Sequence, residues 1–261
     1  MNVLELFDLT GKVAVVTGGA GLYGKQIVHA LSSAGATVYM ASRNKAKNLE
    51  VVTQFAANKG AVHVEEVDLL LEESILSLCD RIYEKEGKVD ILVNNAVLRC
   101  MNGYTDSAEK FETSMRANAT GLFIISRAFA DRMGKAGSGS IINIGSYMGI
   151  LGPDYSLYKD TEMNKNGALG DYFFHKGGMT NYTKFLAGHY GAQGVRCNCL
   201  ELGGLYSGQP ELFVQRYSER TMLGRMANDT DLMGAIVYLA SDASAYVTGS
   251  IITVDGGYSA K

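Results

Sequence analysis

The sequence predicts an α/β fold: a single doubly wound domain across residues 1–261, with a mostly parallel β-sheet flanked by helices. Three observations predict it. Short β-rich runs recur along the chain with helical patterns between them. The runs are apolar at nearly every position, as strands buried on both faces are. A glycine-rich turn directly follows the first of them, in front of a helical stretch. Alternating strand and helix implies parallel strands joined by crossover helices that cover the sheet.

The strand runs are 13–17, 37–41, 61–67, 91–94, 140–144, 195–200 and 251–254. Between the first two, residues 27–34 have a helical pattern closed by Gly35 in the place of a C-terminal cap. Residues 152–170, GPDYSLYKDTEMNKNGALG, break the pattern: polar, glycine-flanked and without sustained period, they predict a long surface loop between two better-formed elements.

Composition narrows the function classes. With 24 basic and 27 acidic side chains the net charge is −3, and no basic run is interleaved with aromatics, which argues against nucleic acid as a partner. No stretch approaches the roughly 20 apolar residues of a membrane span. Glu5 and Asp8 stand where a signal peptide carries cations. A cytoplasmic protein with a small-molecule substrate is the expectation. Cys79, Cys100, Cys197 and Cys199 lack paired spacing and are read as free thiols, with no metal site.

The turn after the first strand reads TGGAGLYG, in which Gly19, Gly21 and Gly24 fit G-x-G-x-x-G. Small residues here let the backbone approach a pyrophosphate, which sits against the free N–H groups and positive dipole end of the following helix. The chain therefore predicts a Rossmann-type dinucleotide site. The second strand ends Met40-Ala41-Ser42-Arg43-Asn44 with no carboxylate to take a ribose 2′-hydroxyl. A guanidinium pairs with a 2′-phosphate, so NADP(H) is preferred, with NAD(H) the alternative.

Tyr172 and Lys176 are four apart, hence on one face of a helix. A phenol titrating near about 10 is a poor acid–base group at neutral pH, and an ammonium beside a phenol favours its ionised form. Ser146 follows the 140–144 strand at the carboxyl edge of the sheet, where ligands bind in open α/β folds.

With Asp68, Asn94-Asn95-Ala96, Asn118-Ala119-Thr120-Gly121, and the ending Val247-Thr248-Gly249 to Val254-Asp255-Gly256-Gly257, these motifs resemble, in order and nearly end to end, the short-chain dehydrogenase/reductase family. Its compact single-domain branch is the match, and the overall look is similar to gluconate 5-dehydrogenase-like members. The resemblance implies that Tyr172 is the general acid–base, that Lys176 binds the nicotinamide ribose and tunes Tyr172, that Ser146 orients the substrate oxygen, and that Asn118 supports a proton relay. It also implies a cofactor site of Gly18, Gly19, Gly21, Leu22, Tyr23, Gly24, Ser42, Arg43, Asp68, Leu69, Asn94, Ala96, Tyr172, Lys176, Gly203 and Leu205. Three positions depart from the family pattern: Leu22 and Leu202 replace a glycine and a proline, and Val97 replaces the glycine ending N-N-A-G.

A second Y-x-x-x-K, Tyr155 to Lys159, lies nearer Ser146. It follows Pro153-Asp154 in the polar loop, whereas Lys176 precedes Asn198 at the family's spacing, so Tyr172 is assigned. The Ser146–Tyr172 separation is then about twice the family's usual one, and 152–170 becomes an insertion beside the substrate.

The expected reaction interconverts a secondary alcohol and a ketone, on a small polyol, sugar acid or keto-sugar. Arg99, Ser146, Tyr155 and Tyr172 are the candidate substrate contacts, and Asp154, Lys159 and Glu162 add polar groups to the loop. A 3-oxoacyl-carrier-protein reductase is the enzymatic alternative, and a dinucleotide-binding sensor or interaction subunit without turnover the alternative of another class. The resemblance also implies a homo-oligomer, a dimer or tetramer, and Tyr246, Val247, Ile251 and Tyr258 offer apolar material for assembly.

Overall fold

Seven strands, β1 (Val13–Thr17), β2 (Thr37–Ser42), β3 (Val62–Glu66), β4 (Ile91–Asn94), β5 (Gly139–Ile144), β6 (Val195–Leu202) and β7 (Ile251–Val254), form one sheet in the order β3-β2-β1-β4-β5-β6-β7. Every neighbouring pair is parallel. The computed structural model describes residues 2–163 and 169–261. The strand order grows outward from β1 to β3 and then restarts beyond β1 with β4. Connections on the two sides of β1 therefore diverge, and a crevice opens at the carboxyl ends of β1 and β4.

Helices α1 (Leu22–Ser33), α2 (Lys45–Val52), α3 (Glu72–Glu86), α4 (Ala108–Met115), α5 (Leu122–Ala136), α6 (Gly170–Tyr190), α7 (Glu211–Arg220) and α8 (Met233–Ala240) complete the chain. Strand side chains alternate between faces. Ala14 and Val16 of β1 join Ile27, Leu31, Ile236 and Leu239 on one side, and Val13 and Val15 join Ile75, Leu78, Phe129 and Leu186 on the other. Each of the Val, Leu, Ile and Phe side chains among these, once fully buried, contributes on the order of 1.5–3 kcal/mol, which is why both faces of these strands are apolar. Gly35 has φ +106°, closing α1 in a conformation other residues rarely adopt.

The end of β6 shifts from expectation for a physical reason. β6 continues past Leu200 through Glu201, a carboxylate with 0% exposure; a charged residue reads as the end of a buried run, yet here it lies inside. Tyr172 sits in the first turn of α6, which begins at Gly170.

The segment from Gly152 is not an idle polar excursion. Residues Tyr155–Leu157 form a 3₁₀ turn whose Leu157 is buried with Tyr147, Phe213, Tyr217 and Met226. Arg220 of α7 donates to Asp154 Oδ2 and to Ser156 Oγ, both at 2.5 Å, and Arg216 donates to the Ser156 carbonyl at 3.2 Å. Residues 164–168 of the expected loop lie outside the described residues. Near the C-terminus, Tyr258 stacks on Tyr217 at 4.9 Å between ring centroids and Val247 packs on the core, so both face inward, whereas Tyr246 is fully exposed. Among the described residues no helix is long and apolar enough to cross a membrane.

Candidate active site

A cleft of about 780 Å³ follows the carboxyl edge of the sheet from the end of β2 to Phe213 and Tyr217 of α7. Its floor is the turn between β1 and α1. Gly18 has φ +68°, and a Cβ there would lie 3.0 Å from Ala96 Cα; one at Gly24 would lie 2.9 Å from the Gly19 carbonyl carbon. The backbones are packed too closely for any side chain at these points. Gly21 is the N-cap of α1 and supplies no side-chain cap, leaving the first N–H groups of the helix toward the cleft for an anion. These features fit a dinucleotide pyrophosphate.

Gly18, Gly21, Leu22, Tyr23 and Gly24 line the cleft, whereas Gly19 does not: a Cβ there would meet Met40 Cγ at 3.0 Å and Val28 Cγ2 at 3.2 Å, so this glycine serves helix-to-strand packing. Leu22, in place of a family glycine, is exposed. Tyr23 ties the turn to the end of β6 by donating to the Gly203 carbonyl at 2.9 Å.

Ser42, Arg43, Asp68, Leu69, Ala96, Gly203 and Leu205 also line the cleft. Lys47, one turn into α2, joins Arg43 there and was not singled out from the sequence; its position four after Arg43 was the available signal. A second correction concerns Asn94. Its amide donates to Ser126 Oγ at 3.0 Å and Asn143 Oδ1 at 2.9 Å, fully inside the sheet. Asn95 takes the place beside the cofactor turn, donating to the carbonyls of Thr17 and Gly18 at 2.9 and 3.0 Å. Val97 lines the cleft and Leu202 is buried at its edge.

Lys176 and Tyr172 meet on α6. Lys176 is buried, its Nζ donates to the Ile144 carbonyl at 2.5 Å, and the same Nζ lies 5.7 Å from the Tyr172 ring centroid. Ser146 follows β5, accepts from the Met148 N–H at 3.2 Å and lines the cleft with both of them. The Arg99 guanidinium stands over the Tyr172 ring.

Asn118 lies off the cleft, in a π-helical turn between α4 and α5. Its Oδ1 accepts from the Leu98 N–H and its Nδ2 donates to the Leu98 carbonyl, both at 2.8 Å. The side chain is thus committed to fixing the strip Val97–Leu98–Arg99. Its Nδ2 also donates to Ser114 Oγ, which in turn donates to Asp171 Oδ2 at 2.5 Å, so a chain of hydrogen bonds links this strip to the start of α6.

His175, between the two catalytic candidates, is 3% exposed, and neither ring nitrogen has a hydrogen-bond partner among the described residues. Burial, followed by the nearby charges of Lys176 and Arg99, pushes its imidazole down to about 3, so it is neutral at neutral pH.

Tyr155 is corrected: it is 59% exposed and turned away from the cleft, while Asp154, Leu157 and Tyr158 of the same segment line it. A 3₁₀ turn presents only one of its three directions inward, and apolar Leu157 takes it. Asp154 is held by Arg220 and Ser156, whose hydrogen bonds outweigh its burial and keep its carboxyl below the usual range.

A family model described as Enoyl-(Acyl carrier protein) reductase matches residues 21–259. The 3-oxoacyl-[acyl-carrier-protein] reductase FabG of Aquifex aeolicus is 31% identical, over 95% of this chain and 98% of its own length. The galactitol 2-dehydrogenase (L-tagatose-forming) of Cereibacter sphaeroides is 30% identical over 99% of both chains. Among solved structures, a gluconate 5-dehydrogenase from Burkholderia cenocepacia in complex with NADP and tartrate superposes with a TM-score of 0.88 at 27% identity, covering 100% of each chain. A short-chain type dehydrogenase/reductase from Mycobacterium marinum gives 0.87 at 29%, again over 100% of each. The chain belongs to the short-chain dehydrogenase/reductase family, oxidoreductases that act on CH–OH groups with a nicotinamide dinucleotide.

Proposed function

We infer that this single-domain protein is an NADP(H)-preferring oxidoreductase that interconverts a secondary alcohol and a ketone on a small polyol, sugar acid or keto-sugar. The observation that carries the reading is the meeting of Tyr172, Lys176 and Ser146 in one cleft, with Arg99 over the phenol. When bound, the nicotinamide takes or gives the hydride. In oxidation the Tyr172 oxygen takes the hydroxyl proton of the substrate, and in reduction it returns one to the carbonyl oxygen. Ser146 holds that oxygen by its hydroxyl. Lys176, fixed to the Ile144 carbonyl, keeps its ammonium near the phenol ring and would hold the ribose of a bound cofactor. Arg43 and Lys47 supply two cations for a 2′-phosphate, and no carboxylate on the adjoining end of β2 competes for it.

Arg99 has no acceptor among the described residues, so its charge is available to a substrate carboxylate; this supports a sugar acid. Relatives named for galactitol, threitol, galactose and gluconate support the polyol class. A 3-oxoacyl-carrier-protein reductase is the second reading, favoured by the apolar wall of Leu157, Phe213 and Met226. Mostly buried free cysteines suit a reducing cytoplasm, and exposed Phe123, Phe174 and Phe185 on α5 and α6 support a homo-oligomer.

The test is oxidation or reduction of both nicotinamide cofactors with a panel of polyols, keto-sugars, keto-acids and acyl thioester analogues. Turnover confined to sugar acids and polyols with NADP(H) is the expected result. Turnover confined to acyl thioesters selects the reductase reading, and cofactor binding without any turnover selects a sensor.

A further inference from the structure

We propose that Glu201 is a positioning residue of the active site, which holds the backbone of Ser146 from beneath, and that glycine at 145 is what admits its carboxylate. The proposal rests on the reading of Ser146 as the holder of the substrate oxygen.

Glu201 has 0% of its surface exposed and does not line the cleft, so it cannot touch substrate. A buried carboxylate is tolerated only where donors or cations surround it. Three donors do. The Ser146 backbone N–H donates to Oε2, and the Thr180 hydroxyl of α6 donates to Oε1 at 2.6 Å. The Cys199 thiol donates to Oε1 at 3.5 Å. One residue before Ser146 in the same turn, the space beside the carboxylate is occupied only because residue 145 has no side chain: a Cβ there would lie 2.6 Å from Glu201 Cδ and 2.7 Å from Oε1. Gly145 does not have a positive φ. Space, not backbone conformation, is what a larger residue would lack.

Two buried charges thus grip adjacent peptide groups of one short segment. Lys176 takes the carbonyl of Ile144, and Glu201 takes the N–H of Ser146. Thr180 lies one helical turn after Lys176, so α6 carries both the ammonium and the hydroxyl that holds the carboxylate. The Ser146 side chain leaves this clamped backbone into the cleft. Its orientation depends on the Glu201 contact, since the only other hydrogen bond at its N–H or hydroxyl among the described residues is from the Met148 N–H.

Glu201→Leu tests this directly, because it fills much of the same space but offers no acceptor to the Ser146 N–H. The expected result is a folded protein with cofactor affinity within about twofold of wild type, kcat lower by about tenfold or more, and KM little changed. Hydrogen exchange at the Ser146 amide should accelerate while the β5 amides stay protected. A second measurement covers poor folding of that variant: Gly145→Ala should lower kcat, and Gly145→Ala combined with Glu201→Ala should be no worse than either single change. Wild-type kcat with unchanged Ser146 exchange, or additive losses in the double variant, overturns the proposal. If wild type turns over nothing in the substrate panel, the proposed function fails on that result alone, and the Ser146 exchange still decides the Glu201 contact.

Discussion

Arg99 holds its guanidinium over the ring of Tyr172, with Cζ 5.6 Å from the ring centroid. Lys176 brings a second cation to the same ring from within the helix. Both cations thus lie against the phenol to which the proposed function gives the proton transfer.

Tyr172→Phe should therefore lower turnover by about 10²–10⁴-fold while cofactor binding persists, since only the proton-transfer group is lost. Tyr155→Phe should leave kinetics unchanged, because that side chain is exposed and off the cleft. Steady-state rates and cofactor fluorescence titration of both variants decide the assignment, and the opposite pattern would assign catalysis to Tyr155.

Arg43→Ala should weaken NADP(H) about ten- to a hundredfold and NAD(H) hardly at all, the scale of a charge-assisted contact of about 1.5–3 kcal/mol. Lys47→Ala should add a smaller loss of the same selectivity. Equal losses for both cofactors would remove these residues from phosphate recognition.

Much of this arrangement is legible in the sequence, for identifiable reasons. Buried parallel strands declare themselves as short apolar runs, and the Gly18–Gly24 turn is dictated by backbone contacts that exclude side chains. Tyr172 and Lys176 were legible because a four-residue spacing is local. What stayed hidden depends on contacts distant in sequence. Glu201 looks like the end of a strand until Gly145, Thr180 and Ser146 converge on it. Asn94 and Asn95 are chemically identical neighbours, and only the alternation of a strand end sends one into the sheet and the other to the glycine turn. The loop after Gly152 was read by its polarity, whereas Arg216 and Arg220 of α7 consume those polar groups and turn Leu157 inward.

His175 gives the protein a pH signature. Its folded value of about 3 lies below the ordinary 6.5, so as pH falls below about 6.5 the unfolded chain binds a proton that the native site refuses. Its effect is to lower stability as pH falls, by up to about 1.4 kcal/mol per pH unit, until pH nears 3. Urea denaturation at several pH values should show a shallower loss for His175→Gln between pH 6 and 4; parallel curves for the two proteins would refute the neutral buried imidazole.

Arg220→Ala should release Asp154 and Ser156 and loosen the segment over the cleft. A severalfold rise in substrate KM, with cofactor affinity unchanged, is the expected outcome. An unchanged KM would make this contact a surface feature without influence on substrate.

Light scattering should report a mass that is a multiple of 28.1 kDa, and Phe174→Glu or Phe185→Glu should shift it toward the single chain. A wild-type protein of 28.1 kDa at micromolar concentration would rule out assembly through α5 and α6.

The pairing of residues 152–163 with α7 has a consequence for engineering. Both pieces border the cleft, and they are fastened to each other through Arg216, Arg220 and the packing of Leu157 on Phe213 and Tyr217. They behave as one cartridge plugged into a sheet that keeps its own glycine turn and its own tyrosine. Grafting such a cartridge into a relative calls for moving both pieces together. A transplanted loop alone would arrive without the two arginines that give it shape.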